Sequence, residues 1–337
     1  MRISTSLDTL IHRIPKAELH VHIEGTLEPE LAFELAARHG VSLDYPTVES
    51  LRRAYDFGDL QSFLDLYFAG ARVLRTARDF FDLTAAYLVR AAADNVRHAE
   101  IFFDPQTHTA RGVPLGTVIE GITAALAQAR ERHRMSLLLI LCFLRDRPVE
   151  SAMATLEEAL TFRAHIVGVG LDSAERGHPP AKFAEVFARA RAEGLRAVAH
   201  AGEEGPADYI RQALEILRVE RIDHGVRCEE DPALVAELAA RRVPLTMCPL
   251  SNLKLRVVPS LEQHNLRALL NRGLCVTINS DDPAYFGGYV NANYLAAQHA
   301  LGLTEDEIRR LARNSFEASF LTAADRQPFL DELDAAR

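Results

Sequence analysis

Short runs of apolar or strictly alternating residues recur along the chain. Between most of them lie longer stretches whose apolar positions repeat with helical period. The strand-like runs are 17–23, 96–103, 136–143, 166–171, 196–201, 221–225, 244–248 and 275–280. Amphipathic stretches fall at 115–132, 149–162, 181–193, 207–217, 232–241 and 261–272. Strands alternating with helices predict βαβ units and a parallel sheet, and eight such units predict a closed (β/α)8 TIM barrel. Leu137-Leu138-Leu139-Ile140-Leu141 is apolar throughout, as a strand covered on both faces requires. An open doubly wound sheet is the alternative. Its mark would be a glycine-rich dinucleotide turn, but Gly168-Val169-Gly170 lacks the third glycine and runs on into Leu171-Asp172-Ser173.

One interval breaks the rhythm. Residues 24–95 separate the first two strands and carry helical patterns at 29–39, 60–74 and 79–94. The segment is rich in aromatics: Tyr45, Tyr55, Phe57, Phe63, Tyr67 and Phe68. An insertion after a barrel strand sits at the face where active sites form, so a helical lid is expected, with extra rim packing as the plainer alternative. Leu60, Phe63, Leu64 and Tyr67 share one helical face. Past the eighth strand, a helical stretch at 289–301 precedes a helix that opens at Thr304, where Glu307 completes a capping box. These C-terminal helices are expected to close the barrel without taking part in chemistry. No linker or low-complexity tract interrupts the sequence, so residues 1–337 read as a single domain.

Composition narrows the picture. The 337 residues are 48% hydrophobic and 25% charged, enough to bury a sizeable core. A formal charge of −9 argues against nucleic acid as a partner, since such binding relies on clustered Lys and Arg. Cys142, Cys228, Cys248 and Cys275 form no CxxC pair and read as buried thiols in a reducing compartment. Residues 1–8 lack the apolar core of a secretory signal, and no apolar run is long enough to span a bilayer. A cytoplasmic protein without a membrane partner is expected. Oligomeric state is left open.

The chemistry gathers at strand ends. His20 and His22 are two residues apart in Ala17-Glu18-Leu19-His20-Val21-His22-Ile23-Glu24-Gly25, so a strand aims both imidazoles at one spot. The fifth strand ends in His200-Ala201-Gly202-Glu203-Glu204-Gly205, the sixth in Asp223-His224-Gly225, the eighth in Asn279-Ser280-Asp281-Asp282-Pro283. Taken singly, each has an ordinary reading: His200 a core histidine, His224 a loop contact, Glu203 and Glu204 a helix start, Asp281-Asp282-Pro283 a turn. In a barrel all four ends meet at one rim, and three histidines with a carboxylate suit one Zn²⁺ whose shell water completes. His12, His39, His98, His133, His165, His264 and His299 fall on helices or connections and read as structural or surface residues. His108 and His178 follow the second and fourth strands and face the same mouth.

At these motifs, together with Pro15-Lys16, Arg221-Ile222 and Cys248-Pro249-Leu250-Ser251-Asn252, the chain resembles the adenosine/adenine deaminase family of the amidohydrolase superfamily. The resemblance runs nearly the whole length and implies the same barrel. It implies His20, His22, His200 and Asp281 as ligands of one Zn²⁺ per subunit, Glu203 as proton donor to a purine ring, His224 as the residue handling the attacking water, and Asp282 as holder of the purine's imidazole edge. A two-metal variant would want a lysine near the end of the fourth strand, where this chain has Leu171-Asp172-Ser173-Ala174-Glu175.

Three departures from the family's nucleoside enzymes bear on the substrate. Glu24 stands where they carry a shorter aspartate toward the ribose. Ala174-Glu175 stands where they place a glycine against the purine. Asp281-Asp282-Pro283-Ala284-Tyr285-Phe286-Gly287-Gly288-Tyr289 resembles the adenine deaminase subgroup. The resemblance therefore implies deamination of a free 6-aminopurine base, adenine first, then N6-substituted adenines of cytokinin type, then adenosine. Glu24, Leu60, Phe63 and Asp282 are the expected substrate contacts. A zinc-binding module without activity is disfavoured because Glu203 is present.

Overall fold

A computed structural model describes residues 6–336; of the stretch examined for a secretory signal, residues 1–5 lie outside it. Eight strands form one sheet in chain order: β1 Lys16–His22, β2 Val96–Phe103, β3 Ser136–Leu144, β4 Gly168–Asp172, β5 Arg196–Ala201, β6 Arg221–His224, β7 Pro244–Met247 and β8 Cys275–Ile278. Each consecutive pair is parallel. A parallel bridge between Val21 and Asp281 joins the last strand's extension to the first, with His22 N–H donating to Asp281 O and Asp281 N–H to His20 O, both at 3.0 Å. The (β/α)8 barrel is thus closed, and its seam lies at the residues singled out for chemistry.

Two details of the strands differ from simple alternation. In β1, Glu18 pairs with Ala99 and Val21 with Ile101, so three steps of β1 oppose two of β2. This bulge flips the side-chain order. Glu18 meets Tyr87 of the surrounding helix Ala77–Ala93 and the Ser280 backbone N–H, at 2.8 and 3.1 Å, while His20 and His22 turn into the barrel. In β4, the glycines serve packing: a Cβ on Gly170 would lie 2.5 Å from Cys142 Sγ, and one on Gly168 2.8 Å from Arg196 O.

Inside the barrel, Phe102, Ile140, Cys142 and Val198 form a separate apolar layer. Below it Glu100 accepts from Arg221 Nη1 at 2.6 Å and from the Phe320 N–H, and faces His98 Nε2 at 3.1 Å. The larger core lies between strands and outer helices. All four cysteines are free and buried. Among the described residues no helix is long and apolar enough to cross a membrane.

The long interval after β1 holds helices Pro29–His39, Val48–Ala54, Leu60–Ala71 and Ala77–Ala93. The last packs on Leu115–His133 as an outer-ring helix, which leaves the first three as the true insertion. Asp59 and Ser62 form a capping box that fixes where Leu60–Ala71 begins. The amphipathic stretch 261–272 is not one helix. It divides into Leu261–Gln263 and Leu266–Asn271, because His264 and Asn265 turn their side chains inward, His264 to Asn252 and Asn265 to the Val226 carbonyl. The Thr304–Glu307 capping box is formed, and the helix Glu305–Glu317 covers the seam from outside: Ser315 Oγ accepts from Ala17 N–H, and Asn314 Nδ2 donates to Val276 O.

Candidate active site

The strand ends converge. His20 Nε2 lies 3.1 Å and His22 Nε2 3.6 Å from Asp281 Oδ1; the Nε2 atoms of His22 and His200 face each other at 3.1 Å. His224 Nε2 is 3.7 Å from Asp281 Oδ2 and 3.6 Å from Glu203 Oε1. All are buried. His20, His200, His224 and Asp281 each offer a donor atom within 4.8 Å of the others. Buried polar atoms ordinarily find hydrogen-bond partners. Here His20 Nε2, His200 Nδ1, Glu203 Oε1 and Asp282 Oδ1 have none. His20 Nε2, the facing Nε2 atoms of His22 and His200, and the Asp281 carboxylate make a donor set that fits a divalent cation, while His200 Nδ1 faces Asp223 Oδ2 at 3.7 Å.

Three of the imidazoles are met from behind by polar groups. Thr246 Oγ1 donates to Asp223 Oδ1 at 2.8 Å and so must accept from His20 Nδ1, 3.0 Å away, which leaves the His20 Nε2 lone pair pointing into the cluster. His22 Nδ1 faces Asp172 Oδ2 at 3.5 Å and Asp104 Oδ1 at 3.8 Å. Behind His224 runs a directed chain. Leu266 N–H donates to His264 Nδ1 at 3.1 Å, so a neutral His264 carries its proton on Nε2 and gives it to Asn252 Oδ1, also at 3.1 Å. The Asn252 amide then donates to His224 Nδ1 at 3.3 Å. Because the chain starts at a backbone N–H, the tautomer of His224 follows: its proton sits on Nε2, facing Glu203 and Asp281. Burial lowers the pKa of His264 to about 4 and that of His224 to about 3, so both are neutral.

The carboxyls divide by environment. Burial, then the charges of Asp281 and Glu175, push the Glu203 pKa well above the usual carboxylate range. Burial and Asp281 do the same to Asp282. At Asp281 burial acts in the same upward direction but is overcome by His20 and His224, which hold it well below that range. Neighbouring carboxyls with opposed shifts are suited to separate acid and ligand duties.

These groups open on a cavity lined by His22, His200, Glu203, His224, Asp281 and Asp282, and roofed by Leu60, Phe63, Leu64, Tyr67 and Phe68 of the helix Leu60–Ala71. Of the expected substrate contacts, Leu60, Phe63 and Asp282 line it. Glu24 does not. Its longer side chain turns away to accept from His108 Nε2 at 2.7 Å and the Asp104 N–H at 3.2 Å. Tyr67 stands in front of it, its hydroxyl donating to Asp104 Oδ2 at 2.7 Å. Tyr67 and Asp104 line the cavity at this point, whereas Glu24, expected as a substrate contact, and His108 meet each other behind them.

Sequence reading passed over Asp104 and Asp172, although both sit at strand ends where the other polar residues do. It also set His264 aside as structural, and it noted Glu175 only as a departure.

Comparison with known proteins agrees with this architecture. The sequence profile of the adenosine deaminase family matches residues 15–336. An adenine deaminase of Cupriavidus necator is 64% identical over 334 residues, 99% of this chain and 95% of that protein. Its counterpart in Ralstonia nicotianae is 61% identical over 338 residues, 99% and 98% of the two chains. The crystal structure of an adenine deaminase from Arthrobacter aurescens superposes with a TM-score of 0.94 at 54% identity, covering 95% of this chain and 98% of that one. An amidohydrolase of Burkholderia ambifaria solved with bound Zn gives 0.91 at 26% identity, covering 99% and 94%. With its closed barrel, its mouth of histidines and carboxylates, and these relatives at full length, the chain belongs to the adenosine deaminase family and resembles the adenine deaminases within it.

Proposed function

We propose that this chain hydrolyses the free base adenine to hypoxanthine and ammonia, using one Zn²⁺ held by His20, His22, His200 and Asp281. The observation that carries the reading is the pairing, in one cavity, of a buried Glu203 whose pKa is pushed upward with the cluster suited to a cation. A bound zinc ion lowers the pKa of a coordinated water to about 7. Attack at C6 would destroy ring delocalisation and load charge onto N1. Glu203, its pKa pushed upward by burial and by the charges of Asp281 and Glu175, supplies a proton to N1 as the oxygen adds. His224 presents Nε2–H and stabilises that oxygen as a donor. Asp282, with Oδ1 free, holds the imidazole edge of the purine. One proton of the water passes to the amino group, the C6–N bond breaks and ammonia leaves as the 6-oxo group forms; the other proton of the water restores Glu203.

The free base is favoured over the nucleoside by the wall of Tyr67 and Asp104 and by the lid helix, with the whole chain serving as one domain around this site. Identity to adenine deaminases over 99% of the chain supports the same choice. Steady-state kinetics with adenine, N6-isopentenyladenine and adenosine test it, alongside metal analysis of protein purified without added metal. Adenine is expected to give the highest kcat/KM by at least about 100-fold, which corresponds to about 2.7 kcal/mol. A higher value for adenosine overturns the assignment.

A further inference from the structure

The loop that carries Glu203 is built around another carboxylate. Glu175 is buried and lies just past β4, outside the cavity lining. Its Oε1 accepts from Gly202 N–H at 2.7 Å; its Oε2 accepts from the N–H groups of Glu203, Glu204 and Gly205 at 3.1, 2.8 and 2.7 Å. Four consecutive amides thus turn inward on one side chain. Such a turn needs the backbone that His200-Ala201-Gly202-Glu203-Glu204-Gly205 supplies. Gly202 has a φ of +71°, and a Cβ on Gly205 would stand 2.5 Å from Glu175 Oε1. Gly205 thus leaves room for the carboxylate, while Gly202 supplies the positive φ at a point where a Cβ would meet Ile210.

We infer that Glu175 is a positioning residue for Glu203: by gathering the four amides of residues 202–205 it fixes the backbone from which the proton donor reaches the purine. This rests on the deaminase reading above. Its charge, after burial and Asp281, also helps keep the Glu203 proton in place. A buried ring of amides with no acceptor would rearrange, and a displacement of about 1 Å at a proton donor costs on the order of 100-fold in rate.

The test is a double-mutant cycle in the zinc-loaded enzyme with adenine as substrate. Wild-type turnover of adenine is measured first and tests the function itself; the variants are then compared within an active enzyme. Glu175→Gln replaces one acceptor oxygen by an NH₂ group facing amide donors. It is expected to lower kcat between about 10- and 100-fold while KM for adenine and the zinc content stay within about twofold. In a Glu203→Gln background the same change is expected to add less than about twofold, because its effect passes through the residue already disabled. A merely structural role would lower activity by the same factor in both backgrounds. Gly205→Ala, which pushes on the same carboxylate from the other side, gives an independent reading should Glu175→Gln not fold, with the same loss of kcat expected. Wild-type kcat in either folded variant, or equal losses with and without Glu203, overturns the inference.

Discussion

The two ends of this barrel contain the same kinds of residue and use them in opposite ways. At the floor, Glu100, Arg221 and His98 are buried and joined: Glu100 accepts from Arg221 and Phe320, and His98 also meets Ser136 Oγ at 3.0 Å. Only Arg221 Nε lacks a close partner, 3.6 Å from Asp223 Oδ1. At the mouth, His20, His200, Glu203, Asp282 and Asp172 each keep at least one buried polar atom unmatched. Leaving such atoms unmatched costs about 1–3 kcal/mol each, so the mouth is tolerated only because something else comes to meet them. Charge satisfied internally holds the barrel together; charge left unsatisfied is available to a cation and a substrate.

That contrast is open to being broken by substitution. The largest effect is expected at the mouth. Glu203→Gln should lower kcat by about 100- to 10,000-fold with zinc content and melting temperature nearly unchanged. Turnover at the wild-type level would remove Glu203 from the mechanism. Next comes the floor. Glu100→Gln strands Arg221 without its counter-charge and should destabilise the fold by about 3 kcal/mol in denaturant melts, while the folded fraction keeps its kcat. The pH dependence carries the same message. Burial alone would raise the Glu100 pKa, but Arg221 overrides it and brings it down to about 2 from 4.5. Because the folded value is the lower one, the unfolded chain binds the proton first. The stabilisation is complete above about pH 4.5 and is lost as pH falls toward 2. In wild-type protein this contribution should show as an acid limb in thermal melts that Glu100→Gln lacks. The smallest effect is expected behind the mouth. Asn252→Ala frees His224 Nδ1 and should lower kcat about 10-fold. It should also move the His224 proton between nitrogens, read by ¹⁵N shifts of labelled histidine. An unchanged tautomer would show that the chain from Leu266 does not set it.

Much of this was legible beforehand, and the exceptions have reasons. The eight strands and their order follow from apolar runs of strand length separated by helical periods, because a parallel barrel strand is covered on both faces and shows little else. His20, His22, His200, Glu203, His224, Asp281 and Asp282 could be placed together because they stand at strand ends. Glu18 was not separable from the histidines by alternation, since the bulge that turns it outward leaves no mark in the pattern. Glu24 pointed the wrong way because its partners, His108 and the Asp104 amide, lie about eighty residues further on. A shorter separation suffices to hide Glu175, whose amide partners lie 27 to 30 positions away. Backbone donors carry no sequence signature, so a side chain that serves them is invisible until the fold is known. His264 falls in a stretch of good helical period, and its inward turn is what divides that helix.

The seam between Val21 and Asp281 has a consequence for how the protein comes to life on the ribosome. On the proposed ligand set, donor atoms for the cation are drawn from position 20 at one extreme and 281 at the other, and the backbone bridge that brings them into line exists only when both are present. That set is then complete only once nearly the entire polypeptide has emerged, and a product terminated before Asp281 is expected to lack it.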